Sequence, residues 1–183
     1  MFVDKSREKL INAIIFFSGH AECSKTKLLK LLYLVDFEHF RQTGRSVTGL
    51  TYYAWELGPV PTKLYAEFEN PAADFSKAIA LKAADFNGTP GIVAVPKVAF
   101  NRGIFTPREL KVLDDVAKAY GRKTAKALVD LTHRPGSPWE KIYSPEADNE
   151  RIPYELALED PVEKEHVLEA KCERDEFLSA WNA

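Results

Sequence analysis

Cysteine is nearly absent from this 183-residue chain; only Cys23 and Cys172 occur, far apart in sequence. That excludes a disulfide-stapled scaffold, and both are read as reduced thiols. Long apolar runs are missing as well. The longest near-apolar stretch, Ile11–Ser18, is too short to span a bilayer, and no N-terminal segment has the charged, apolar, small-residue order of a secretory signal. A cytoplasmic protein with no membrane contact is expected. There is no glycine-rich phosphate loop, no G-x-S-x-G elbow and no H-E-x-x-H pair, which removes the commonest nucleotide, hydrolase and metalloprotease signatures. His20 and Cys23 stand three apart without a second pair of ligands nearby, and zinc sites usually take four. No metal and no other cofactor is expected. Internal repeats and low-complexity segments are lacking too.

What is present is the composition of an ordinary globular protein, long enough for one domain or one domain plus an extension. The net charge of −2 conceals an asymmetry. Residues 1–143 carry 21 Lys+Arg against 15 Asp+Glu, a net of +6, whereas residues 144–183 carry 4 against 12, a net of −8. This divides a helical body, 1–143, from an acidic C-terminal extension, 144–183, that ends in a helix over Val162–Trp181. The acidic region folds back on the body, is offered to a basic partner, or is simply a solvated face.

The strongest periodic signal is Ser24–Thr43. Leu28, Leu31, Leu32 and Val35 fall at i, i+3, i+4 and i+7, and Leu29, Leu34, Phe37 and Phe40 cover much of the remaining surface. A helix apolar nearly all round is buried. Ser24 suits the N-cap and Gly44 a left-handed stop. Lys25, Lys27 and Lys30 oppose the helix dipole, so they are expected to face solvent or a partner. Asp36 lies among the most apolar turns and needs a donor from another segment. It could also pair with His39 three residues on, but an Asp that orients a neighbouring loop is the favoured role.

The other elements follow from local signals. Asp4–Gly19 reads as a helix capped by Asp4, packing Leu10, Ile14 and Phe17 on the central one. Leu50–Glu56 reads as a short strand. Gly58-Pro59-Val60-Pro61 should then stop any regular element, because two prolines fix φ. A helix over Thr62–Glu69, another over Ala72–Ala80, and strands Leu81–Phe86 and Ile92–Val98 joined by the loop 87–91 come next. Thr106-Pro107-Arg108-Glu109 has capping-box spacing and starts a helix ending at Gly121. Lys123–Thr132 is a further helix. The basic residues Arg108, Lys111, Lys118, Arg122, Lys123 and Lys126 are diluted by Glu109, Asp114 and Asp115, so a solvated face outweighs a phosphate-binding one. The fold class is therefore mainly α: a compact helical domain around a buried central helix, with a small antiparallel β element.

Three segments together are more specific than any alone. Lys27-Leu28-Leu29-Lys30-Leu31-Leu32-Tyr33-Leu34-Val35-Asp36, then Ala54-Trp55-Glu56-Leu57-Gly58-Pro59-Val60, and later His133 with Pro138-Trp139, occur in that order. The order resembles the Panacea family of SocA-like, phage-associated antitoxin domains, whose pattern is K-L-x-K-L-x-Y-x-x-D, A-W-x-x-G-P-V and H-x-x-x-x-P-W. The first two motifs cover roughly residues 8–70, and the likeness extends to about residue 143.

The resemblance implies a cytoplasmic bacterial or phage protein that neutralises a cognate toxin protein by binding it, with no catalysis of its own. On that basis Asp36 is expected to tie down the Trp55–Val60 turn through backbone N–H groups or the Trp55 indole. Tyr33, Trp55, Gly58, Pro59 and Val60 are scaffold first and interface second. The aromatic, proline-rich surface around Tyr53–Tyr65, with Lys63 on it, can face the toxin. His133 and Trp139 pack the last body helix back on the core. Two other classes stay open: a nucleic-acid-binding regulator, and an adaptor that delivers a partner to a protease.

Overall fold

Helix α2 spans Lys25–Thr43 in the computed structural model, which describes residues 5–20, 23–86, 88–146 and 149–181. Its ends are fixed locally. The Ser24 hydroxyl accepts the Lys27 N–H, and Gly44, at φ 67°, donates its N–H to the Phe40 carbonyl at 2.7 Å. Between Lys27 and Phe40 only Leu34 and Glu38 escape full burial. Helices α1 (Ser6–His20), α5 (Pro107–Tyr120) and α6 (Ala125–Thr132) all pack on it. The Asp4 cap expected for α1 lies outside the described residues.

The lysines of α2 do not face water as expected. Lys27 Nζ donates to the Gly121 carbonyl at 2.7 Å, and Lys30 Nζ to the Pro59 carbonyl at 2.9 Å, with both side chains buried. Lys25 Nζ stands 3.2 Å above the Tyr65 ring. Each long stem lies along apolar surface while its head finds a carbonyl or an aromatic face, which relieves the conflict with the dipole.

Strand β1 (Tyr52–Trp55) turns through Glu56-Leu57 directly into β2 (Gly58–Val60), with Trp55 opposite Gly58 and Ala54 opposite Pro59. The two prolines therefore do not halt regular structure at Gly58. Pro59 is tolerated because β2 is the sheet edge, in the order β2-β1-β5. Strand β5 (Glu150–Ile152), from the acidic region, pairs antiparallel with β1. Just beyond it Tyr154 donates its hydroxyl to the Leu50 carbonyl, and its ring meets Phe37 at 4.6 Å and Phe40 at 5.2 Å. Residues 150–154 thus share one sheet and one aromatic cluster with residues 50–55.

Short helices α3 (Thr62–Glu67) and α4 (Ala73–Ala78) lead to a second hairpin, β3 (Ile79–Phe86) with β4 (Thr89–Pro96). The five-residue loop expected over 87–91 is shorter, because the ladder runs on to Phe86 opposite Thr89. The capping box at Thr106 and Glu109 forms as its spacing demands, and Glu109 also pairs with Lys9 of α1 at 2.7 Å. Helix α7 (Pro161–Trp181) lies against the end of α2; a Cβ on Gly44 would stand 3.1 Å from that of Lys171. No described side chain of α7 is fully buried. The protein is mainly α with small antiparallel sheets, and no helix among the described residues is long and apolar enough to cross a membrane.

Candidate functional site

The β1–β2 hairpin is held from three directions, each time through a backbone carbonyl. Lys30 of α2 donates to the Pro59 carbonyl. Trp139 Nε1 donates to the Trp55 carbonyl at 2.9 Å. His133 Nε2 lies 3.0 Å from the Glu56 carbonyl, with Nδ1 2.6 Å from that of Val129. The His133 and Trp139 rings meet edge-on at 3.7 Å, and Tyr143 stacks behind Trp139 at 4.5 Å.

Gly58 makes the grip sterically possible. Its φ is 96°, and a Cβ there would sit 2.8 Å from both Lys30 Nζ and Thr132 Oγ1. A side chain would be strained by the backbone and would displace the lysine. Burial without a carboxylate lowers the Lys30 ammonium to about 7. The hairpin's outer side carries apolar surface. Trp55 is half-buried, edge-on to Tyr65 at 5.1 Å, and its indole donates to Asn149 Oδ1 at 2.9 Å. Leu57 at the tip is 64% exposed. A cavity of about 320 Å³ lies between this surface and Lys30.

Asp36 is buried and does bind a loop, but not the expected one. It accepts N–H groups from Val47 and Thr48, each at 2.8 Å, together with the hydroxyls of Thr48 and Tyr52. It therefore anchors the segment Val47–Tyr52 that leads into β1, while the Trp55–Val60 turn belongs to Lys30, His133 and Trp139. Burial pushes the Asp36 carboxyl up to about 6, although its hydrogen bonds pull it down. It does not pair with His39, whose Nδ1 lies 2.7 Å from the Arg45 carbonyl.

Trp55, Gly58, Pro59, His133 and Trp139 are thus brought together, while Tyr33 and Asp36 sit further along α2. Val60 is buried, Tyr53 is half-buried opposite Val60 and Arg151, and Lys63 stands exposed on α3. Sequence reasoning missed Lys30, Thr132 and Asn149. A lysine in the middle of an apolar helix was the signal for the first of these. Among the described residues, no three or more His, Cys, Asp or Glu side chains form a metal-ligating group.

The sequence profile described as "Antitoxin SocA-like, Panacea domain" matches residues 28–140, well over half of the chain. The chain belongs to the Panacea family. The curated relative "Antitoxin SocA" of Caulobacter vibrioides (strain NA1000 / CB15N) is 28% identical over 120 residues, 65% of this chain and 59% of that protein. The matched part therefore spans less than two thirds of that relative's length. No solved structure matches this chain. The Panacea match contains Lys30, the hairpin, His133 and Trp139, so the three-way grip lies wholly within the family's domain. Strand β5 and α7 fall outside it.

Proposed function

We propose that this Panacea protein is the antitoxin of a toxin–antitoxin pair, acting in the cytoplasm by direct binding of its cognate toxin and without catalysis or a cofactor. The observation that carries this is the gripped hairpin. Carbonyls of Trp55, Glu56 and Pro59 all face residues remote in sequence, so the turn is rigid before any partner arrives. Its outer side offers Leu57, Trp55 and Tyr65, and rigid aromatic anchors bind at a low ordering cost.

Co-expression with the gene adjacent to its own tests the proposal. Growth arrest by the neighbour alone, relieved by this protein, is the expected result. A Leu57→Asp variant that melts like the parent should lose both the rescue and the complex. A harmless neighbour, or rescue without a complex, would overturn direct neutralisation.

A further inference from the structure

The second hairpin has two edges, and the sequence treats them differently. Strands β3 and β4 pair without a bulge along their full length of eight residues, from Ile79 opposite Pro96 to Phe86 opposite Thr89. Only residues 87 and 88 join them, so Phe86 and Thr89 must hydrogen-bond to each other across the turn. Alternation from that pair points the backbone groups of Ala84, Lys82 and Ala80 at β4, and those of Asp85, Ala83 and Leu81 outward. On β4 the outward positions are Pro90, Ile92, Ala94 and Pro96. Both prolines lack an N–H, and the bridge between Val93 and Ser24 occupies the edge between them. That edge is closed. The β3 edge carries neither proline nor bulge. Among the described residues no other backbone group bonds to those of Leu81, Ala83 or Asp85, and Lys82, Ala83 and Asp85 are exposed. A straight strand with a bare row of donors and acceptors is a template for another strand, and proteins that do not use such an edge blunt it.

We propose that the open edge of β3 pairs antiparallel with the same edge of a second copy of this chain, about a two-fold axis at Ala83. The two hairpins then form one sheet in the order β4-β3-β3-β4. This does not rest on the antitoxin function. The strand complements itself in that register. Every outward N–H and C=O of Leu81, Ala83 and Asp85 finds a partner, because Ala83 faces its own copy and Leu81 faces Asp85. Small residues meet large ones: Ala84 lies opposite Lys82 and Ala80 opposite Phe86, while the two Ala83 methyl groups leave room at the axis. The Asp85 carboxylate already accepts the Gly88 N–H at 2.7 Å, which turns its charge toward its own turn and away from Leu81 of the other copy. Neighbouring registers are worse. An axis at Lys82 sets two ammonium groups directly opposite each other, and an axis at Ala84 carries Leu81 past the end of the other strand, at Phe86. The closed β4 edges end the sheet on both sides, so the product is a dimer and not a fibre.

Sedimentation velocity of the full chain between about 5 and 500 μM provides the test. Pairing along one strand makes a small interface, so a reversible dimer with a dissociation constant on the order of 10–100 μM is expected. Ala83→Pro removes one outward N–H and nothing from the ladder with β4, as Pro90 and Pro96 do on the other edge. It should melt within a few degrees of the parent and stay monomeric across the range. Ala83→Lys and Ala83→Asp each place like charges across the axis at an exposed position and should weaken the dimer several-fold. An equimolar mixture of those two variants should form a mixed dimer several-fold tighter than either alone. A parent that remains monomeric throughout overturns the proposal. So does a dimer that survives Ala83→Pro, a mixture no tighter than its components, or a dimer that Trp181→Ala disperses, which would place the contact on α7. A monomeric parent whose rescue of a toxic neighbour is lost in a folded Ala83→Pro variant would assign the edge to a strand of the toxin and overturn the second copy as its occupant.

Discussion

Asp36 and Lys30 are buried charges on one helix, and each is satisfied by groups from a separate loop. Truncating Asp36 to Ala leaves two N–H groups and two hydroxyls without their acceptor. The expected cost is on the order of 3 kcal/mol, which lowers the melting temperature of a chain this size by about 10 °C. An unchanged melting curve would show that Asp36 does not anchor Val47–Tyr52. Lys30 gives a pH signature instead. Its ammonium is held down at about 7, against 10.5 in an unfolded chain. Between those values the unfolded chain binds the proton that the native protein releases, so stability from this group rises with pH. Denaturant midpoints measured between pH 7 and 10 should climb more steeply in the parent than in Lys30→Met. Gly58→Ala combines a positive φ with a close approach to Lys30 Nζ, and should cost about 1–3 kcal/mol by thermal melting.

Among the elements, the helices of the body were legible because their signals are local. Ser24 and Gly44 bracket α2, Thr106 and Glu109 start α5, and apolar spacing marks the inward faces. The short strands were not. Gly58-Pro59-Val60 reads as a breaker, and only its place at a sheet edge lets proline stay. Glu150-Arg151-Ile152 has no strand signal of its own; it is a strand because β1 offers it an open edge. A chain ending after Tyr143 would lose β5 and the ring of Tyr154. It should melt more than 10 °C below the full chain, since burial of one large aromatic contributes about 2 kcal/mol and the sheet edge and aromatic cluster are lost with it. A chain ending after Asp160 keeps both and should melt within a few degrees of the parent.

Across the whole molecule, the acidic region divides into two parts. Residues 150–154 fold back on the basic body. Helix α7 touches it only along one side and leaves Phe177 and Trp181, stacked at 5.9 Å, about 60% exposed. Charge on so exposed a helix acts on encounter more than on stability. If the partner is the proposed toxin and is basic, deletion of α7 should slow association by about tenfold at low salt and leave the dissociation rate nearly unchanged, as measured by stopped flow.

Periodicity and caps marked the helices of the body and the inward faces of α2, because each depends on residues within a few positions of one another; the family came from a resemblance carried by three motifs taken together between Lys27 and Trp139. The partners of the buried polar groups did not follow from the sequence. Trp139 reaches a carbonyl 84 residues away, Lys30 holds the turn that Asp36 was expected to hold, and β5 exists only through its neighbour. A buried donor or acceptor demands a partner, but which backbone group meets that demand depends on how distant segments pack.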